Sequence, residues 1–356
     1  MPDHPNGAEF AGMHAATDNL VASVLHEYAE ATRGLLFDYL PDAEPRRYLY
    51  DLVADYPRRG GRGLRPSICI ATARAFGAPL EAALRTAVSI ELVHNAMLIH
   101  DDIEDESEQR RGTPTLHARE GIPIAINAGD MLAVISMRPL LDNPAWLGPD
   151  LSLRVLQETE RMSRESAEGQ ALELGWRRDN VTDVSAEDYL LMILKKTCWL
   201  ATIHPSRMGA LIGSFGNLNL DHCIRFGFFL GAAFQIQDDL LNLEGDAAAY
   251  GKEIGGDIWE GKRTLMLIHV LERASQAERE RISTFLAKPR IERCAKDVKW
   301  VRGLMDDYGS IAWARETAQG LAGAASYEFG ELYGHLPESR DKRFLEALPA
   351  WVIARN

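Results

Sequence analysis

Two short acidic runs carry the residue types and spacing most suited to chemistry. Asp101-Asp102-Ile103-Glu104-Asp105 closes the apolar run Ile90 to Ile99, and helical spacing puts Asp101 and Asp105 one turn apart on one face, with Asp102 beside them. Asp238-Asp239-Leu240-Leu241-Asn242 repeats the arrangement after the apolar run Phe226 to Ile236. Carboxylates crowded at the C-terminal end of a helix repel one another and meet the negative end of its dipole, so the placement calls for cations. Hard oxygen donors suit Mg²⁺, which keeps several waters and completes its shell with one or two carboxylates and substrate phosphates. One such cluster alone reads first as a solvated helix end. Two clusters, each ending an apolar helix, read as facing walls of one cavity in a helical bundle.

Basic residues flank both clusters. Gly60-Gly61-Arg62-Gly63-Leu64-Arg65-Pro66 offers two guanidinium groups in a flexible loop before a helix, a geometry that can clamp a phosphate in bidentate fashion. Arg110-Arg111-Gly112 follows the first cluster, and Lys252 and then Glu260-Gly261-Lys262-Arg263-Thr264 follow the second. Singly, each reads as a surface salt bridge; the repetition argues for an anionic ligand held with metal ions. On residue type alone His94 is a core histidine on an apolar helix and Lys196 a solvated lysine.

The elements that must position these groups are helices. Apolar residues recur at helical spacing nearly throughout, as in Leu20, Val21, Val24, Leu25 and Tyr28, and period-two alternation is scarce. Breaks fall at Gly and Pro clusters such as Tyr56 to Pro66, Gly112 to Pro114 and Tyr250 to Gly261. Ser185 with Asp188 three residues on reads as a helix N-cap. The expected architecture is all-α: one domain over residues 21–356, a bundle of ten or more helices, with residues 1–20 as a flexible N-terminal tail. Of 356 residues 46% are apolar and 26% charged, ample for a large core, and the formal charge of −13 disfavours nucleic acid and anionic lipid as partners. Cys69, Cys198, Cys223 and Cys294 are widely spaced, as in a reduced cytoplasmic protein. Met1 to Leu20 resembles neither signal nor transit peptide. Phe226 to Phe234 reads as the most apolar stretch, too short for a bilayer crossing, so no transmembrane segment is expected.

The ordered set G-G-R-x-L-R-P, D-D-x-x-D followed by R-R-G, G-Q-x-x-E, K-T, F-Q-x-x-D-D and G-K-x-x-G-x-D-x-x-E-x-K-R-T resembles the trans-isoprenyl diphosphate synthases, the polyprenyl synthetase family. The resemblance spans nearly the whole chain. It implies the isoprenoid synthase fold around a central cavity, usually as a homodimer. It also implies head-to-tail joining of an allylic diphosphate (dimethylallyl, geranyl or farnesyl) to isopentenyl diphosphate. By the same resemblance Asp101, Asp105 and Asp238 hold about three Mg²⁺ ions, with Asp102 and Asp239 as further ligands or as their support. Arg110, Lys196, Lys252 and Lys262 grip the allylic diphosphate. Arg62, Arg65, His94 and Arg111 hold isopentenyl diphosphate, and Lys196, Thr197 and Gln235 stabilise the cation. The released diphosphate takes the proton, so no protein base is needed.

Four residues depart from the family pattern: Arg62 stands in place of Lys, Gly63 of Arg, Asn242 of the third Asp and Glu173 of Asp after Gly169-Gln170. The last two bear on metal affinity. Chain length in the family is set below the first cluster, where Ala96 and Met97 place no aromatic ring, so the expected product is geranylgeranyl diphosphate (C20). The alternatives are a longer all-trans product, a terpene cyclase on the same fold, or a non-catalytic regulatory subunit.

Overall fold

The computed structural model describes residues 7–245 and 255–355, with side chains from residue 18 onward. Thirteen α-helices of eight residues or more are found among them. They are α1 (Gly7–Tyr39), α2 (Leu64–Ala75), α3 (Leu80–Glu104), α4 (Ile122–Ile135), α5 (Pro149–Arg178), α6 (Ala186–Ile193), α7 (His204–Gly213), α8 (His222–Glu244), α9 (Leu265–Arg273), α10 (Gln276–Leu286), α11 (Ala295–Asp307), α12 (Ser310–Tyr333) and α13 (Arg340–Ala354). Shorter turns fill the connections. Extended structure among the described residues is limited to an antiparallel ribbon, β1 (Gln109–Arg110) with β2 (Thr113–Pro114).

Local chemistry explains the boundaries. Ser185 accepts from the Asp188 N–H while Asp188 takes the Ser185 N–H, a reciprocal cap that starts α6 where the sequence places it. Ser275 and Glu278 do the same for α10. Helix α1 begins at Gly7, so residues 7–20 continue a helix where a flexible tail is expected. Ala8, Ala11, Ala15 and Ala16 favour helix without needing an apolar stripe.

Between α6 and α7 the chain runs as a π-helix from Leu194 to Ile203. Its wider turns are accommodated by glycines on α8. A Cβ on Gly227 would lie 2.7 Å from Ile203, and one on Gly231 would lie 2.5 Å from the Thr202 hydroxyl. Thr202 spans the joint, donating to the Gly227 carbonyl at 2.6 Å.

Among the described residues, two helical runs are apolar enough to match a bilayer by length and composition, Leu80–Glu104 and Ile122–Leu147. Both are longer than the apolar run Phe226 to Phe234 and qualify by length and composition only. The first run buries 61% of its apolar window inside the bundle, as the core helix α3.

Candidate active site

Helices α3 and α8 bring their acidic segments to one cavity that opens to solvent. Asp101 from α3 and Asp238 and Asp239 from α8 line it with Glu173, Lys196, Thr197, Gln235, Asp257, Lys262 and Arg263. Five carboxylates face three basic side chains there, so the wall carries surplus negative charge and hard oxygen donors. That donor chemistry fits a divalent cation bound together with phosphate oxygens. Among the described residues no three carboxylate, imidazole or thiol groups form a ready metal cage. Two ammonium groups stand among the acids. Lys196 bonds Glu173 and lies 3.3 Å from Asp101. Lys262 bonds Asp105 at 2.7 Å and Glu260 at 2.6 Å and reaches to 3.6 Å from Asp257, joining the first acidic segment to the loop after the second. Burial opposes the charge on both lysines, but the surrounding carboxylates outweigh it and hold them protonated. Burial raises Asp105, and the neighbouring Lys262, Lys196 and Arg177 bring it below the usual carboxylate range.

The members of each acidic pair do different work. Asp102 is fully buried and does not line the cavity. It accepts from Tyr56 at 2.5 Å and takes a bidentate ion pair from Arg110, whose guanidinium also lies 3.9 Å from Asp101. Arg110, expected on the allylic diphosphate, is thus engaged inside the protein, and the pair ties α3 to the β-ribbon. Asp239 lines the cavity yet accepts from Tyr189 at 2.8 Å and Gln235 at 2.7 Å. Burial, then the Asp257 charge, pushes its carboxyl well above the normal range. Gln235 in turn accepts from Thr197 at 2.9 Å, so the expected cation-stabilising pair is one connected chain.

A second, cationic wall forms around the glycine-rich loop. Arg111 and Gly112 both take left-handed φ values, 56° and 71°, at the tip of the β-ribbon. Arg59 clamps the ribbon by donating to the carbonyls of Arg110 (3.1 Å) and Pro114 (2.8 Å). This aims Arg111 at the glycine loop, where a Cβ on Gly61 would meet its guanidinium at 2.8 Å. Arg65, Arg111 and His94 lie within one another's fields. Burial drops Arg65 to about 10, and burial with the two arginines holds His94 neutral. Arg62 is exposed and faces the Trp351 ring at 6.0 Å. Gly63 has φ 64°, and a Cβ there would be 2.6 Å from Ala29, so no arginine fits this turn.

Asn242 has a role the sequence does not reveal. It is buried, its side-chain oxygen accepts the Asp257 N–H at 3.1 Å, and its carbonyl accepts the Gly255 N–H at 2.6 Å. It therefore braces the turn that carries Asp257. Tyr56, Tyr189, Arg177, Asp257 and Glu260 join the site without having stood out in the sequence. Asp257 and Glu260 sit inside a quoted motif, whereas the tyrosines reach the acids across 46 and 50 residues and leave no local signal. Lys252 lies outside the described residues. Ala96 packs with Ala125, Ala128 and Leu132 of α4, while Met97 packs against the separate cluster holding Val93 and Met162.

Solved structures share this arrangement of helices. Geranylgeranyl pyrophosphate synthetase from Pyrococcus horikoshii matches with a TM-score of 0.82 and 32% identity, covering 95% of this chain and 99% of that one. A polyprenyl synthase from Caulobacter crescentus, complexed with calcium and isoprenyl diphosphate, has a TM-score of 0.82 at 26% identity, covering 95% and 97%. The bundle is an isoprenoid synthase fold. In sequence, a geranylgeranyl pyrophosphate synthase of Geoglobus acetivorans is 32% identical over 95% of this chain and all of its own length. A short chain isoprenyl diphosphate synthase of Methanothermobacter thermautotrophicus is 33% identical over 84% and 88%. The sequence pattern of the polyprenyl synthetases matches residues 46–305, and the chain belongs to that family of prenyltransferases.

Proposed function

We propose that the protein condenses an allylic diphosphate with isopentenyl diphosphate in a Mg²⁺-dependent reaction whose main product is geranylgeranyl diphosphate. The observation that carries this is the meeting of Asp101 and Asp238 in one cavity, with a cationic wall of Arg65 and Arg111 nearby. Bound Mg²⁺, about three ions held chiefly by Asp101, Asp105 and Asp238, would neutralise charge developing on the leaving diphosphate. Lys196, still held by Glu173, would exchange Asp101 for diphosphate oxygens, and Lys262 would exchange a carboxylate partner likewise. When the allylic C–O bond breaks, its electron pair leaves with the diphosphate, and Gln235 and Thr197 present dipoles to the cation. Arg62, Arg65 and Arg111 would hold isopentenyl diphosphate so that its double bond attacks that carbon from close range. Neutral His94 would add a hydrogen bond. The proton lost from the new chain passes to the released diphosphate.

The small Ala96 and flexible Met97 place no ring below Asp101, which supports C20 over shorter products. Relatives include geranylfarnesyl and octaprenyl diphosphate synthases, so a longer chain is the second reading. Purified protein with Mg²⁺, labelled isopentenyl diphosphate and C5, C10, C15 or C20 starters tests both. C20 accumulation supports the proposal, and products confined to C15 or shorter refute it. A hydrocarbon or alcohol from one allylic diphosphate alone would mark a cyclase. No incorporation, with an effect on an active synthase, would mark a regulator.

A homodimer and a cytoplasmic location complete the proposal. Among the described residues, seven of the twelve exposed large apolar side chains lie between Ile122 and Leu153, including Val134, Leu141 and Trp146. An apolar surface so concentrated on consecutive elements suits a self-complementary interface.

A further inference from the structure

One close approach between α5 and the π-helix bears on how Lys196 reaches the cavity. A Cβ on Gly169 would lie 2.1 Å from the Lys196 nitrogen, 2.7 Å from its Cα and 2.8 Å from the Lys195 carbonyl carbon. The Lys195–Lys196 peptide is therefore seated directly on the α5 backbone. From this seat the two side chains diverge. Lys195 turns to Glu165 (2.7 Å) and Glu168 (2.6 Å), on the turn before Gly169. Lys196 turns into the cavity, bonding Glu173 one turn further along α5 and approaching Asp101. Adjacent lysines both have carboxylates to choose from, so the seating of their shared peptide decides which ammonium enters the site.

We infer that Gly169 and Glu173 are positioning residues for the allylic diphosphate: the glycine fixes the depth of the Lys196 backbone, and the glutamate aims its ammonium at the leaving-group site. The inference rests on the proposed prenyl transfer and on Lys196 contacting the diphosphate. Carbon atoms in ordinary contact stand about 3.5 Å apart or more, so a side chain at Gly169 must push that peptide back by roughly 1 Å or more. A displacement of about 1 Å in a positioned group costs on the order of 10²-fold. Gly175, on the same helix, has open space where a Cβ would point, with no atom within 4 Å, and gives a matched control.

The test compares Gly169→Ala, Gly175→Ala and Glu173→Gln with wild type in steady-state kinetics, with calorimetric binding of inorganic diphosphate in the presence of Mg²⁺. Gly169→Ala should lower kcat/KM for the allylic diphosphate on the order of 10²-fold and weaken diphosphate binding, leaving KM for isopentenyl diphosphate within about threefold. Gly175→Ala should match wild type. A general loss of folded enzyme would lower kcat and leave both KM values alone. Unchanged allylic KM and diphosphate affinity in Gly169→Ala, or an equal rise in both KM values, overturns the inference. If Gly169→Ala does not fold, Glu173→Gln decides, since it keeps the seat and releases the ammonium. A selective allylic defect, partly restored by Glu173→Asp, upholds the inference, and wild-type behaviour overturns it. Failure of wild type itself to incorporate isopentenyl diphosphate would instead refute the proposed reaction.

Discussion

Substituting Asn242 separates two accounts of the second acidic cluster. If Asn242 is a weakened metal ligand, removing its side chain costs little and Asn242→Asp restores tight binding. The structure assigns it differently: its side-chain oxygen accepts the Asp257 N–H at 3.1 Å inside a buried joint. Asn242→Ala leaves that N–H without its acceptor, at a cost of about 1–3 kcal/mol. Where the turn escapes this cost by opening, Asp257 leaves the cavity wall. Since each ~1.4 kcal/mol is tenfold, the closed population falls by roughly 5- to 150-fold relative to open. The half-saturating Mg²⁺ concentration should rise by up to that factor. Asn242→Asp keeps the acceptor, so its turn holds and its half-saturation stays near or below that of wild type. Its added charge beside Asp238, Asp239 and Asp257 should lower Tm when metal is withheld, because Asp239 already resists ionisation. The assay is the initial rate of isopentenyl diphosphate incorporation against free Mg²⁺ at saturating substrates, with Tm as a check on folding. A half-saturation for Asn242→Ala within about twofold of wild type, together with tight binding by Asn242→Asp, would refute the bracing role and restore the ligand account.

The fold and the leading acids are legible because both are written locally. Apolar periodicity of about 3.6 residues specifies helices, and a doubled aspartate after an apolar run marks the last two turns of a helix, the final one in α3 and the one before it in α8. The division of labour within each doublet is not legible. Asp101 and Asp102 are neighbours on one helix, yet one faces the cavity and the other is buried under Tyr56 and Arg110. Which of the two turns inward depends on a tyrosine 46 positions away, and no short window contains it. Gly63 and Asn242 read as departures from a pattern for the same reason. The Ala29 methyl that excludes a side chain at Gly63, and the Asp257 N–H that needs Asn242, become visible only when distant segments pack. The reach of α1 escapes the sequence reading for an opposite reason: alanine-rich sequence forms helix without announcing a buried face.

Three further outcomes are expected. Tyr56→Phe removes a buried donor to Asp102 and should cost about 1–2 kcal/mol in chemical denaturation, with allylic KM little changed; an equal stability would show the hydroxyl is idle. Leu141→Glu, on the exposed apolar surface, should convert dimer to monomer in analytical ultracentrifugation, and a dimer of undiminished affinity would place the interface elsewhere. His204 gives a pH prediction. It is fully buried, neither ring nitrogen has a hydrogen-bond partner among the described residues, and burial followed by the nearby Arg207 charge drops its pKa to about 3. The unfolded chain takes up this proton below about 6.5 while the folded one does not, so the unfolded state binds more protons and stability falls as pH falls. From pH 7 to pH 5 the loss from this one group is about 2 kcal/mol. His204→Leu cannot take up the proton in either state. Its stability should therefore decline by about 2 kcal/mol less over the same interval in urea unfolding. Parallel pH profiles for the two proteins would show that His204 is protonated, or hydrated, in the folded state.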